Sequence, residues 1–279
     1  MTTAAYFTHG GSDLFYVVEG TGAPILLLHG WTCDHLDWSW QQPFLQGLGF
    51  QTIAIDHRGH GRSAVPPPTT TTTASYSPEA LADDAAALLA HLGVDKAVVM
   101  GHSLGTVIAS ALAVRHPHLV SALVLVDPVY YLPGAALDPF AAQMESPDSP
   151  ALAAGFFGQN FYTDATPAWL KAWHRHRTLG NRPHVVSAVI KELYGKEGSI
   201  GRRENAVGYM KGRKAPRFVA CADQVKVDLE HEIGVDEATD RVELIAEGHW
   251  LHQQGSEAFH KGLQSWLAAQ GLLPKLKRG

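Results

Sequence analysis

Short, wholly apolar segments alternate with segments of helical pattern in the first half of the chain. Brief runs with apolar residues on both faces are typical of strands in a parallel sheet covered by helices. The predicted strands are Ala23–Gly30, Phe50–Asp56, Lys96–Ser103 and Ser121–Pro128. Helices are predicted between them at Pro78–Gly93, with Ser77 as N-cap, and at Leu104–Pro117. This alternation predicts an α/β fold with a mostly parallel, twisted sheet flanked by helices.

The alternation of predicted strands and helices stops after Tyr131, and strand patterns return near the end of the chain. Residues 132–205 contain short helical patterns rich in aromatic residues, and they predict a helical cap inserted into the sheet. We therefore assign residues 1–131 and 206–279 to one core domain and residues 132–205 to the cap. The core is completed by an antiparallel arm, two late strands and a last amphipathic helix, predicted at Asp13–Gly22, Pro216–Ala222, Asp240–His249 and Gly255–Ala269.

Composition narrows the class of protein. A net charge of −5 and a pI near 6.3 argue against nucleic-acid or basic membrane-surface binding. The two cysteines are too few for a disulfide framework, and the chain start lacks the pattern of a signal peptide. We expect a cytoplasmic monomer or homodimer whose partner is a small-molecule substrate. The Pro- and Thr-rich segment 64–77 is predicted to be an extended surface loop, and the basic end 275–279 a solvated tail.

The segment GHSLG, residues 101–105, carries the strongest chemical signal. It fits the G-x-S-x-G pattern between a strand and a helix, the context in which a serine is held on a strained turn as a nucleophile. We predict Ser103 as the nucleophile and the N–H of Leu104 as a donor to an oxyanion. The earlier strand ends in His-Gly-Trp, and the N–H of Trp31 is predicted to be the second oxyanion donor.

The general base is predicted at His249. This histidine follows Gly248, after the last predicted strand and before the last helix, which fits the order nucleophile, acid, histidine. His252 is the rival, although a position at the start of a helix is expected to direct its side chain elsewhere.

Together these motifs resemble the α/β-hydrolase superfamily along essentially the whole chain. The resemblance implies a serine-nucleophile hydrolase with a Ser-His-Asp triad, a cap and no cofactor or metal. Relatives usually carry the acid after the penultimate strand, but here Ala222 replaces the expected glycine and Val225 lies at the place of the acid.

Two aspartates therefore compete to orient His249. Asp223 follows Ala222 and needs a shortened turn, and Asp228 lies further along. Asp127 ends the strand before the cap, where some branches of the superfamily place the acid. We favour Asp127, with Asp223 as the alternative. Either carboxylate would accept the Nδ1–H of the imidazole and stabilise the imidazolium.

The substrate pocket is expected to lie between the core and the cap. Two tryptophans one helical turn apart in the cap either pack on the core or roof the pocket, and three phenylalanines could serve either purpose. The predicted pocket residues are His29, Gly30, Trp31, His102, Tyr130, Trp169 and Trp173, and the phenylalanines are Phe156, Phe157 and Phe161.

These features predict hydrolysis of a carboxylic ester or lactone with an apolar or aromatic body. Epoxide hydrolases and dehalogenases need a carboxylate where Ser103 stands. The spacing in HGWTCDH, residues 29–35, is similar to that of cofactor-independent dioxygenases acting on heteroaromatic compounds. Such a dioxygenase is therefore one alternative, and a non-catalytic ligand-binding homologue is another.

Overall fold

The structure is a computed structural model that describes residues 2–67 and 76–274. Most of the predicted loop 64–77 and the tail 275–279 therefore lie outside the described residues. Within the described ranges one sheet of eight strands has the order β1-β2-β4-β3-β5-β6-β7-β8. The strands are β1 Thr2–His9, β2 Ser12–Glu19, β3 Ala23–Leu28, β4 Phe50–Ile55, β5 Ala97–His102, β6 Val120–Val126, β7 Arg217–Cys221 and β8 Arg241–Leu244.

The central strands are apolar on both faces, as the sequence predicts. Side chains alternate across a strand, so Leu26 and Leu28 of β3 enter one core while Ile25 and Leu27 enter the other. Within the described sheet the pairings β1–β2 and β2–β4 are antiparallel, and every pairing from β4 to β8 is parallel. The predicted α/β class with a mostly parallel sheet is confirmed.

Helices cover both faces of this sheet. One face buries residues of α2 Pro78–His91, α3 Leu104–Arg115 and α9 Gln224–Ile233, and the other buries residues of α1 Gln41–Gly47 and α11 Ser256–Ala269. The last helix is amphipathic, as predicted, and its buried side includes Phe259, Leu263, Trp266 and Leu267. The sequence did not indicate β1, α1 or α9. None of the described helices combines the length and apolar character needed to cross a bilayer.

Five helices lie between β6 and β7 in the described chain: α4 Gly134–Met144, α5 Ser149–Asn160, α6 Ala168–Leu179, α7 Pro183–Tyr194 and α8 Arg203–Met210. Helices α4 to α7 pack on one another, whereas α8 packs on α3 and α9. The boundary expected at residue 205 falls inside α8. The division into a core and a cap stays a prediction, as do the cytoplasmic location and the monomeric or dimeric state.

Candidate active site

Ser103 lies on a sharp turn between β5 and α3. Its backbone has φ 54° and ψ −119°, a conformation that side chains rarely adopt. The two flanking glycines are required sterically: a Cβ on Gly101 would lie 2.0 Å from the carbonyl oxygen of Gly105, and a Cβ on Gly105 would lie 2.1 Å from that of Leu28. The turn is also held by the Ser103 N–H, which donates to Val126 O at 3.0 Å. This geometry is that of a nucleophile elbow.

The two predicted oxyanion donors lie beside this serine. A Cβ added to Gly30 would be 3.2 Å from Ser103 Cβ, so the loop after β3 passes directly against the turn. Leu104 is the first residue of α3, where an N–H has no partner within the helix. Among the described residues, no main-chain carbonyl accepts from the N–H of Trp31 or of Leu104. Both residues line the same cavity as Ser103.

His249 lies on the loop between β8 and α10 Leu251–Gln254. Its Nδ1 donates to Asp127 Oδ2 at 2.5 Å, which leaves Nε2 able to accept a proton. The ring of Phe161 stacks on the imidazole with centroids 4.0 Å apart, and the His249 N–H donates to Phe161 O at 3.0 Å. Burial lowers the pKa of His249 to about 4, although the hydrogen bond to Asp127 opposes this shift.

Asp127 follows the last residue of β6 and is fully buried. Besides His249, the Ala222 N–H donates to Oδ1 at 2.9 Å, and Lys226 Nζ lies 2.7 Å from both carboxylate oxygens. Burial by itself would raise the pKa of Asp127, but the His249 hydrogen bond and the Lys226 charge outweigh it and hold the pKa at about 2. The carboxylate is therefore ionised, as an acceptor for the imidazole must be.

The competing acidic residues have other partners. Asp223 is the N-cap of α9, its carboxylate accepts from the Lys226 N–H at 3.2 Å, and its side chain is 46% exposed. Asp228 is exposed and accepts from Gln224 Nε2 at 2.8 Å. Of the three aspartates, Asp127 is the one whose carboxylate bonds His249. The rival histidine, His252, is buried with its ring 4.4 Å from that of His102 and lies outside the cavity lining.

The cavity above Ser103 has a volume of about 70 Å³ for the centre of a water-sized sphere. Its walls are predominantly apolar and aromatic, and nine of the twenty described lining residues come from residues 132–205. Those residues are Leu132 before α4, Leu137 and Phe140 of α4, Phe156 and Phe157 of α5, Phe161 after α5, and Ile190, Leu193 and Tyr194 of α7. The core contributes Gly30, Trp31, Cys33, His102, Ser103, Leu104, Val129, Tyr131, Lys226, His249 and Trp250 to the lining.

Four of the predicted pocket residues lie elsewhere. His29 is buried behind the cavity, where it accepts from the His57 N–H at 3.0 Å. Tyr130 donates its hydroxyl to Glu230 in a buried network at 2.5 Å. Trp169 is 60% exposed and, like Trp173, packs against Trp40 on the outside of the molecule.

The outward position of the two tryptophans has a simple cause. The buried side of α6 is formed by Leu170, His174 and Thr178, so residues 169 and 173 fall on a different side. The phenylalanines of α4 and α5 line the cavity in their place. Phe140 and Lys226 are lining residues that the sequence did not indicate.

A second buried polar cluster lies beside the site. Cys33, Asp37 and His102 present three possible metal-ligand atoms within 4.8 Å of one another. However, Arg177 from α6 donates to Asp37 Oδ1 at 2.8 Å and to Cys33 Sγ at 2.9 Å, so its guanidinium already supplies the cation. His102 Nδ1 bonds Asp37 Oδ2 at 2.9 Å. The cluster therefore joins α6 to the residue preceding Ser103.

Comparison with known proteins identifies the family. A family model described as alpha/beta hydrolase fold matches residues 23–206, and the chain therefore belongs to the α/β-hydrolase family. The chain is 40% identical over 106 residues to a non-heme haloperoxidase of Rhodococcus erythropolis, covering 38% of this chain and 36% of the relative. It is 37% identical over 113 residues to a bifunctional esterase/perhydrolase of Acinetobacter calcoaceticus, covering 40% and 39% respectively.

These sequence matches span less than half of each curated relative. Likeness in structure extends much further: a hydrolase from Pseudomonas aeruginosa PA01 superposes with a TM-score of 0.80 at 22% identity, covering 95% of this chain and 98% of that one. At this identity the superposition shows the shared fold alone.

Proposed function

We propose that this protein is a serine hydrolase that cleaves a carboxylic ester or lactone of an uncharged, apolar or aromatic molecule. One observation carries the proposal: the strained Ser103 and His249, which is paired with Asp127, line the same cavity. A nucleophile, a base and a carboxylate that orients the base are the three parts that acyl transfer by a serine requires.

In the proposed reaction, Ser103 Oγ attacks the carbonyl carbon while His249 Nε2 takes the hydroxyl proton. The N–H groups of Trp31 and Leu104 stabilise the tetrahedral oxyanion. His249 then returns the proton to the leaving oxygen, which departs as an alcohol, or stays attached if the substrate is a lactone. Water, deprotonated by His249, hydrolyses the acyl-enzyme and regenerates the Ser103 hydroxyl.

The walls of the cavity support an uncharged substrate. Apart from histidines, Lys226 is the one lining residue in the described chain with an ionised side chain at neutral pH, and its charge is balanced by Asp127. A charged substrate group would leave water without gaining a free counter-ion, which is costly in an apolar site. Aromatic walls instead favour an apolar body. The esterase activity of the Acinetobacter relative agrees with the proposal.

The decisive experiment compares the wild type with Ser103→Ala on a panel of aryl esters, alkyl esters and lactones. We expect turnover by the wild type and a loss of at least about a thousandfold in the variant. Labelling of Ser103 by a fluorophosphonate, located by mass spectrometry, would identify the nucleophile independently. Equal hydrolysis by both proteins would rule out the mechanism.

A cofactor-independent dioxygenase is the second candidate, because Asp127 and His249 form a base pair within an aromatic cavity even without Ser103. Oxygen consumption with a hydroxylated heteroaromatic compound, retained in Ser103→Ala, would favour it. Thermal stabilisation by such compounds with no turnover of any kind would instead favour a binding protein.

A further inference from the structure

Lys226 is a buried lysine to which the proposed reaction assigns no step. It lies in the first turn of α9, is 5% exposed, and lines the cavity. Its ammonium contacts both oxygens of Asp127 at 2.7 Å and lies 5.0 Å from the ring centre of Tyr131. A buried lysine needs such a partner, but one carboxylate oxygen would suffice for an ion pair. The contact with both oxygens suggests that the orientation of Asp127 matters.

Asp223 contacts both the ammonium and the backbone N–H of this lysine. Its Oδ2 lies 3.1 Å from Lys226 Nζ, and its Oδ1 accepts from the Lys226 N–H as the cap of α9. The two aspartates that compete in the sequence are therefore joined: Asp223 contacts Lys226, Lys226 contacts Asp127, and Asp127 contacts His249.

We propose that Lys226 is a positioning residue for the proposed triad: it fixes the carboxylate of Asp127 in the orientation that His249 needs and balances its charge. The inference rests on the proposed function. Two donors, Ala222 N–H and His249 Nδ1–H, would remain if the ammonium were absent. Each of these donors contacts one oxygen, whereas the ammonium bridges both oxygens.

The charge of Lys226 also acts on the base. Three ionisable groups face His249: Asp127 from the end of β6, His102 from the end of β5, and Lys226 from α9. Burial is the largest cause of the low pKa of His249, and the positive charge of Lys226 lowers it further, while Asp127 opposes both. Removing the ammonium must therefore raise the pKa of His249, so that the base becomes protonated at a higher pH.

The test is the pH dependence of Ser103 labelling by a fluorophosphonate in the wild type, Lys226→Met and Lys226→Arg. We expect Ser103 in Lys226→Met to be labelled about tenfold more slowly at pH 7. This loss is smaller than the full contribution of a positioned general base. We also expect the acid limb of its profile, the low-pH part in which the labelling rate falls as His249 becomes protonated, to move to higher pH. Lys226→Arg keeps the charge and should retain the wild-type limb. Lys261→Met, which removes an exposed lysine on α11, is the matched control and should follow the wild type throughout.

An unchanged acid limb in Lys226→Met would overturn the inference, because a lysine that only stabilises the fold would lower the amount of active protein without moving the limb. If Lys226→Met does not fold, Lys226→Gln keeps an N–H donor near Asp127 and tests the same limb. NMR titration of the His249 imidazole separates the two proposals. Absence of labelling in the wild type would defeat the proposed function, whereas the titration would still show whether Lys226 lowers the pKa of the base.

Discussion

Replacing Asp127 with asparagine tests the central contact of the site, because the amide cannot satisfy all the donors around it. The two carboxylate oxygens accept from Ala222, Lys226 and His249. If the new NH₂ group occupies the Oδ2 position, it faces His249 Nδ1. The imidazole must then accept there and carry its proton on Nε2, the nitrogen that should take the proton from Ser103.

The other orientation of the amide preserves the tautomer at a cost in stability. An NH₂ group at the Oδ1 position faces the Ala222 N–H, so two buried donors point at one another, whereas Lys226 Nζ lies 2.7 Å from both positions and disfavours the two orientations alike. Each unsatisfied buried donor costs about 1–3 kcal/mol. The unpaired Ala222 N–H makes this orientation less favourable than the other by about 1–3 kcal/mol, so the orientation with the wrong tautomer should dominate. In a serine-protease triad the same substitution lowers kcat by about 10⁴-fold, or about 5 kcal/mol of transition-state stabilisation.

We therefore expect Asp127→Asn to lower the rate of ester hydrolysis by about 10⁴-fold. It should also destabilise the fold by about 3–5 kcal/mol, because Lys226 keeps its charge and loses its closest counter-ion. Hydrolysis kinetics and thermal unfolding measure the two effects. Asp223→Asn is the matched control: its carboxylate is half exposed and does not contact His249, so the rate should fall less than about tenfold. An equal loss in both variants, or a larger loss in Asp223→Asn, would refute the assignment of Asp127.

The remaining predictions concern the helices between β6 and β7. Phe157→Ala removes a buried ring from the cavity wall, so the preference for ester chain length should shift toward bulkier substrates, whereas Trp169→Ala, with a side chain 60% exposed outside the cavity, should leave it unchanged. A panel of esters of increasing length measures both, and equal changes would contradict the assigned lining. Arg177→Met leaves the buried Asp37 without its cation and should destabilise the protein by about 3–5 kcal/mol in thermal unfolding. The exposed Arg175→Met should have no measurable effect.

The parts of the site that follow from local backbone chemistry could be predicted from the sequence. A strand, a serine between two glycines and a helix define the turn at Ser103, because only glycine tolerates contacts as close as 2.0 Å. Asp127 could be proposed for a similar reason, since the end of a parallel strand next to β5 must reach the same edge of the sheet.

Features that depend on tertiary packing could not be predicted in the same way. The segment that forms α9 contains two β-branched valines, so its helical character and the buried position of Lys226 were missed. The spacing of Trp169 and Trp173 places them on a common side of a helix but does not say which side meets the cavity. The packing of α6 determines which side is buried. His174 lies on that buried side, although a histidine does not indicate burial in a sequence pattern.

The contact between Phe161 and His249 makes the wall of the cavity part of the environment of the imidazole. The phenylalanine covers one face of the imidazole, and its carbonyl holds the histidine backbone. If the ring of Phe161 turned away, water would reach the imidazole. Hydration would raise the pKa of His249 toward the ordinary value, because burial is the largest cause of the low pKa. In the proposed reaction, the stacked ring therefore keeps the base unprotonated in weakly acidic solution, where an uncovered imidazole would bind a proton.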